Sequence, residues 1–133
     1  MIWGRQFSLL FVWLLLAGCA SGPPAKPDIP ASVSPGWKLS SLNKSALPAG
    51  VPSAGSPECW KADYAGPGSA EVWTCWYKVA GNAFEAVQRT HAEAQRVTFQ
   101  EGQYLIVVKW NNASKPDLTA LIRALQKALQ PAH

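Results

Sequence analysis

The chain has 133 residues, of which 48% are hydrophobic and 15% are charged, so it holds one small folded domain and is not a disordered tail as a whole. The net charge of +4 comes from charges of both signs scattered along the chain, which gives no ground for nucleic-acid binding. Three cysteines and two histidines leave few ligands for a metal or a Cys/His catalytic site, and we expect no cofactor.

Residues 1–18 are predicted to be a signal peptide, which is absent from the mature protein. Arg5 is followed by an apolar run of roughly ten residues, which is too short to span a bilayer. The run ends in Leu16-Ala17-Gly18-Cys19, which resembles the lipobox of bacterial lipoproteins. An ordinary signal peptide with an incidental cysteine and a short membrane helix are the alternatives.

The lipobox resemblance implies a location for the mature protein. Cleavage before Cys19 would leave this cysteine as a lipidated first residue, whose several acyl chains, palmitate among them, anchor the protein stably in a membrane. In such lipoproteins an aspartate after the cysteine favours the inner membrane, and Ala20 stands there instead. The resemblance therefore implies the outer membrane, with the protein facing the periplasm.

Residues 19–36 are predicted to be the lipidated cysteine and an extended, proline-rich tether. Five of the residues between Ser21 and Pro35 are prolines, which disfavour helix and sheet. At about 3.1 Å per residue, such a spacer would hold the domain roughly 45 Å from the bilayer. The small folded domain is then expected over residues 37–133, with a short first strand at 37–42 and a core over 58–130.

A first hairpin is predicted on either side of a Gly/Pro-rich turn. Its strands cover Glu58–Tyr64 and Ala70–Val79, and its turn is centred on Pro67. Cys59 and Cys75 are equally far from Pro67, so the register places them opposite each other. With the third cysteine used by the lipid, we predict a disulfide between them in the oxidising periplasm. Two buried free thiols are the alternative.

A second hairpin is predicted from Arg96–Gln100 and Gln103–Trp110, with Glu101-Gly102 as a two-residue turn. Paired residue numbers then sum to 203. Strict alternation places one set of side chains on the core face. This set consists of Val97, Phe99, Tyr104, Ile106, Val108 and Trp110.

Two helices are predicted, one after each hairpin. The first runs from Ala83 to about Ala94, with Asn82 as N-cap and Glu85 completing a capping box. The second follows Ser114 as its N-cap and carries aliphatic residues at helical spacing. The predicted fold is a two-layer α+β domain in the order β-β-α-β-β-α, with an antiparallel sheet of four to five strands and both helices packed on one face.

The sequence favours no catalytic site. His91 lies on the apolar stripe of the predicted first helix, which is more typical of a packed residue than of a ligand. Asp63 and Glu71 face each other across the first hairpin, where two close carboxylates raise one pKa or bind a cation; a solvated hairpin end beside Lys61 is the preferred interpretation. We expect no enzyme. An envelope enzyme or accessory subunit using His91 and the Asp63/Glu71 pair is the alternative.

An aromatic patch is the candidate binding surface. If both helices cover one face of the sheet, Lys61, Trp73 and Tyr77 are left on the other face beside the disulfide. Exposed aromatic patches of this kind bind a partner, a sugar or a lipid surface. The alternative is tryptophan packed against the disulfide or the tether, with Lys61 stacked over Trp73.

The domain also resembles DUF6599, a family of uncharacterised bacterial proteins, over roughly residues 58–130. The resemblance lies in Trp60–Gly68, Ala83–Gln88 and Phe99–Val108, which are strand, helix-start and hairpin motifs. It implies no activity and no site residues. Taken together, the sequence predicts a membrane-anchored bacterial lipoprotein whose small periplasmic domain is a binding or assembly module. Its expected partners are the membrane, through the lipid, and an envelope protein, with no nucleic acid.

Overall fold

The computed structural model describes residues 26–131. The elements are β1 (Ser32–Val33), β2 (Trp37–Ser45), β3 (Glu58–Ala65), β4 (Ser69–Trp76), α1 (Ala80–Arg89), β5 (Arg96–Glu101), β6 (Tyr104–Asn111) and α2 (Lys115–Leu129). Within this range the six antiparallel strands form one sheet in the order β1-β2-β3-β4-β6-β5. The α+β class and the antiparallel sheet are confirmed, although the sheet has six strands rather than four to five.

The β3–β4 hairpin has the predicted register. Lys61 lies opposite Trp73, and Cys59 lies opposite Cys75. The two cysteines form the predicted disulfide, with their α-carbons 4.0 Å apart. Both are buried, so the bridge joins two central strands inside the domain. On the chain-entropy model, closing a loop of this size stabilises the fold by about 3 kcal/mol.

The β5–β6 hairpin confirms the predicted faces and corrects the predicted register. Its turn is Gly102-Gln103, because Glu101 pairs with Tyr104. Gly102 has a φ of +57°, which favours glycine at the first position of such a turn. Relative to the prediction, each residue of β5 meets a partner two residues further along β6. A shift of two residues leaves every side chain on its face, so the predicted core set is correct.

Each face of the sheet carries one helix, so the prediction of both helices on one face is wrong. Residues of β6 alternate between two hydrophobic cores: Ile106 and Val108 join the core of α2, whereas Leu105 and Val107 join the core of α1. Successive strand residues point to opposite faces, so α1 and α2 lie on opposite sides, here called the α1 face and the α2 face. Strand β6 is apolar on both faces because both are covered.

The helix starts differ in how well the sequence predicts them. Helix α2 begins after Ser114, whose hydroxyl accepts a hydrogen bond from the Asp117 amide, as predicted. Helix α1 begins three residues earlier than predicted, after Val79, and has no side-chain cap. The expected capping box at Asn82 is therefore wrong. The small residues Ala83 and Ala86 are buried, which lets the first turns of α1 approach the sheet closely.

Residues 27–36, predicted as free tether, belong to the folded domain. Ile29 is buried in the α2-face core, and the Tyr64 hydroxyl donates a 2.6 Å hydrogen bond to the Pro30 carbonyl. Strand β1 pairs with β2 at the edge of the sheet, where neighbouring prolines break no interior ladder. The tether boundary at residue 36 is thus wrong. The signal peptide and Cys19 lie outside the described residues.

Candidate functional site

A small charged and aromatic cluster lies on the α1 face, where β3 and β4 are paired. The Lys61 ammonium lies 5.4 Å from the centre of the Trp73 ring, within the range of a cation–π contact. It also forms a 3.0 Å ion pair with Glu71. The hydrogen bond with Glu71 raises the pKa of Lys61 above its ordinary value. Lys61 is therefore held by two partners from β4, as the packed alternative for this residue predicts.

The two facing carboxylates do not act as a pair. Asp63 lies directly opposite Glu71 in the ladder, as predicted. Asp63 accepts a 2.7 Å hydrogen bond from the Ser41 hydroxyl on β2, whereas Glu71 turns to Lys61. Each carboxylate thus has its own partner on a different strand. Shared protonation between two carboxylates requires their oxygens to meet, and these oxygens are engaged elsewhere.

Tyr77 is buried, so its prediction as part of an exposed patch is wrong. Its relative exposure is 0%, and its ring lies against Gly55, 3.1 Å from where a Cβ would stand. The segment between β2 and β3 folds over this region and contributes Leu47 and Val51 to the same core. Burial raises the pKa of the Tyr77 hydroxyl. This hydroxyl has no hydrogen-bond partner within the described residues.

His91 lies outside the predicted helical stripe. Helix α1 ends at Arg89, and His91 is exposed in the segment that follows. Within residues 26–131 it forms no hydrogen bond or ion pair with another side chain. A general base needs a second group to orient it and a reacting group within reach, and the described residues bring neither to His91.

The start of α1 presents two apolar side chains to solvent. Val79 is 56% exposed and Phe84 is 55% exposed, and in the described part of the chain no other large hydrophobic side chain is so open. The sequence analysis did not find this pair, because it placed Val79 at the end of a strand and began the helix at Ala83, three residues late. With Ala83 and Ala86 facing the sheet, Phe84 lies at the side of the helix. Val79 and Phe84 are here called the apolar pair.

Within the described range, no group of three or more His, Cys, Asp or Glu residues is arranged to hold a metal ion. Neither α1 nor α2 is both long and apolar enough to cross a membrane. Comparisons with protein-family models, with curated proteins and with solved structures find no match. The resemblances to bacterial lipoproteins and to DUF6599 therefore stay predictions.

Proposed function

We propose that this protein is a bacterial lipoprotein, anchored through Cys19 in the outer membrane, whose small periplasmic domain is a binding or assembly module. The sequence Leu16–Cys19 supports the anchor. The Cys59–Cys75 disulfide supports export, because such bridges persist in oxidising compartments. The apolar pair supports a binding role.

The apolar pair is the single observation that carries the binding role. An exposed phenylalanine contributes little to the folding stability of an isolated domain. If a partner protein covers this side chain, its burial stabilises the complex. Burying the open half of Phe84 together with Val79 would stabilise a complex by roughly 2 kcal/mol. Two exposed side chains make a small apolar surface, which fits the centre of a contact whose rim is polar.

The Lys61–Trp73 cluster is the second part of the proposed surface, because it lies on the same face of the sheet as α1. Its side chains are half-buried rather than buried. Since Lys61 and Glu71 neutralise each other, the cluster offers a partner aromatic surface and hydrogen-bonding groups rather than net charge.

Site-specific photocrosslinking tests the binding role. A benzophenone amino acid is placed at Phe84, and a matched probe is placed at the exposed Lys38 of β2. We expect one defined adduct from position 84 in native envelopes, absent from position 38, and weaker when Trp73 is also replaced by alanine. Equal patterns from the two positions, or no adduct from position 84, would refute the binding role.

Intact-mass measurement of membrane-extracted protein tests the anchor separately. We expect a chain that begins at Cys19 and carries acyl mass, while Cys19→Ser blocks both changes. A species that keeps its leader or lacks acyl mass would refute the anchor without bearing on the apolar pair.

A further inference from the structure

The outer surface of α2 carries a line of cations. Lys115, Arg123 and Lys127 are exposed and follow one another at intervals of eight and four residues, which keeps them on one side of a helix. Within residues 26–131, none of the three forms an ion pair with an acidic side chain. The single acid of α2, Asp117, is occupied by the Ser114 hydroxyl at 2.7 Å.

Helix α1 on the opposite face differs in this respect. Its cation Arg89 is paired with Glu85 of the same helix at 2.7 Å. Helix α1 is thus neutral, whereas α2 carries a net charge of +2, counting Lys115, Arg123 and Lys127 against Asp117. Because α2 is the outermost layer of its face, its cations are the first groups that a surface approaching this face meets.

The chain enters the domain beside α2. Ile29 is buried in the α2-face core, and the segment around it, with the exposed Asp28, lines a shallow depression with Ala124, Lys127 and Ala128. Lys26, which precedes the buried Pro27, is exposed and balances the charge of Asp28, so the surface keeps the net positive charge of α2. The entry point of the chain and the cationic line therefore belong to one surface.

Few residues lie between Cys19 and the fold. Because the fold includes Pro27, seven residues separate it from Cys19, and they reach about 25 Å at full extension. A domain of about 100 residues has a radius of gyration of roughly 13 Å, so the tether is no longer than the domain is wide. A lipid on Cys19 would thus keep the surface through which the chain enters close to the membrane.

Resting on the proposed anchor at Cys19, we propose that the outer surface of α2 lies against the anionic phospholipid headgroups of the membrane that holds the lipid. Lys26, Lys115, Arg123 and Lys127 make the contact. The sheet then stands between the bilayer and α1, and the apolar pair faces away from the membrane. Anionic lipid attracts cations only within about a Debye length, and the short link to Cys19 allows these four cations to reach that range.

Lysine labelling on vesicles tests the proposal. The acylated full-length protein is added to preformed vesicles of phosphatidylcholine, alone or with about one-third phosphatidylglycerol, and lysine acetylation is quantified by mass spectrometry. We expect acetylation of Lys26 and Lys127 to slow at least fivefold on the anionic vesicles. Lys78 and Lys109, which are also exposed but lie away from α2, should react equally on both.

A pair of charge variants adds a matched control. Lys115→Gln with Arg123→Gln should weaken docking roughly 25-fold, at fivefold per cation, and restore the acetylation of Lys127. Lys38→Gln with Lys78→Gln removes the same charge elsewhere and should leave the protection intact. Equal acetylation on both vesicle types, or loss of protection in both variants, would overturn the proposal.

The failure of the anchor is distinguishable from the failure of the contact. The intact mass of the same sample reports the acyl chains. If acyl mass is absent, the anchor is refuted, and co-sedimentation of the full chain with the same vesicles then decides the contact. The contact is upheld if the chain sediments with anionic vesicles and the double variant Lys115→Gln with Arg123→Gln does not. The contact is refuted if the unchanged chain does not sediment.

Discussion

Replacing Ile29 by alanine measures whether the proline-rich entry segment is part of the fold. The Ile29 side chain is 8% exposed and packs in the core that contains Leu125 and Leu129. Truncation of a buried isoleucine to alanine costs about 2–5 kcal/mol, the larger values applying where the cavity cannot collapse. Because Ile29 lies at the margin of the core, against Ala124 and Ala128, we expect a loss of about 2–3 kcal/mol in the free energy of unfolding.

Urea unfolding followed by tryptophan fluorescence provides the measurement, since Trp37 is buried in the same core. A loss of this size would lower the melting temperature of a domain of about 100 residues by roughly 10–20 °C. Asp28→Ala is the matched control, because its side chain is exposed and such changes stay within about 0.5 kcal/mol. If Ile29→Ala also stayed within that limit, residues 27–30 would be tether after all, and the argument for a short linker would collapse.

Four further predictions concern single groups. Cys59→Ala with Cys75→Ala should lower the free energy of unfolding by about 3 kcal/mol in urea without reductant; a loss below about 1 kcal/mol would contradict the entropic account. Tyr77→Phe removes a buried hydroxyl that has no hydrogen-bond partner among residues 26–131, so urea unfolding should show equal or greater stability, and a clear loss would reveal a partner. Burial raises the pKa of Tyr64 from 10.0 to about 12. The stability that depends on its protonated hydroxyl is therefore complete below pH 10 and is lost as the pH rises towards 12. Tyr64→Phe should flatten this part of a profile of unfolding free energy against pH, and an unchanged profile would argue against the shift. His91→Ala should leave the melting temperature unchanged, and a marked drop would show that the imidazole is packed.

The sequence predicted correctly those parts of the fold that depend on residues close together along the chain. The symmetry of Cys59 and Cys75 about a Gly/Pro turn gave the β3–β4 register and the disulfide, because a tight turn fixes pairing. The predictions of the Ser114 cap and of the aliphatic spacing of α2 were also correct, because capping and helical periodicity depend on residues close together in sequence. The face of each residue in β5 and β6 survived an error in register, since alternation has a period of two.

Tertiary packing decided the parts that the sequence missed. Composition marked residues 27–36 as tether, yet Ile29 finds a slot beside α2, and packing outweighs the local preference of prolines. Leu105 and Val107 are apolar on the face that was expected to be open. This was the available signal that each face of the sheet is covered by a helix. That cover also buries Tyr77. The predicted patch therefore reduces to Lys61 and Trp73, while the apolar pair at Val79 and Phe84 depended on the unpredicted start of α1.

The strand order has a consequence for folding when the chain emerges gradually from its N-terminus, as it does from a ribosome or a translocon. Strands β1–β4 form a meander from consecutive segments, but the neighbour of β4 is β6, which comes from residues 104–111. Until that late segment emerges, β4 keeps an unpaired edge, and such edges invite aggregation. A chain that folds as it emerges would therefore expose the β4 edge, and a Cys59–Cys75 bridge formed at that stage would hold β3 and β4 in register.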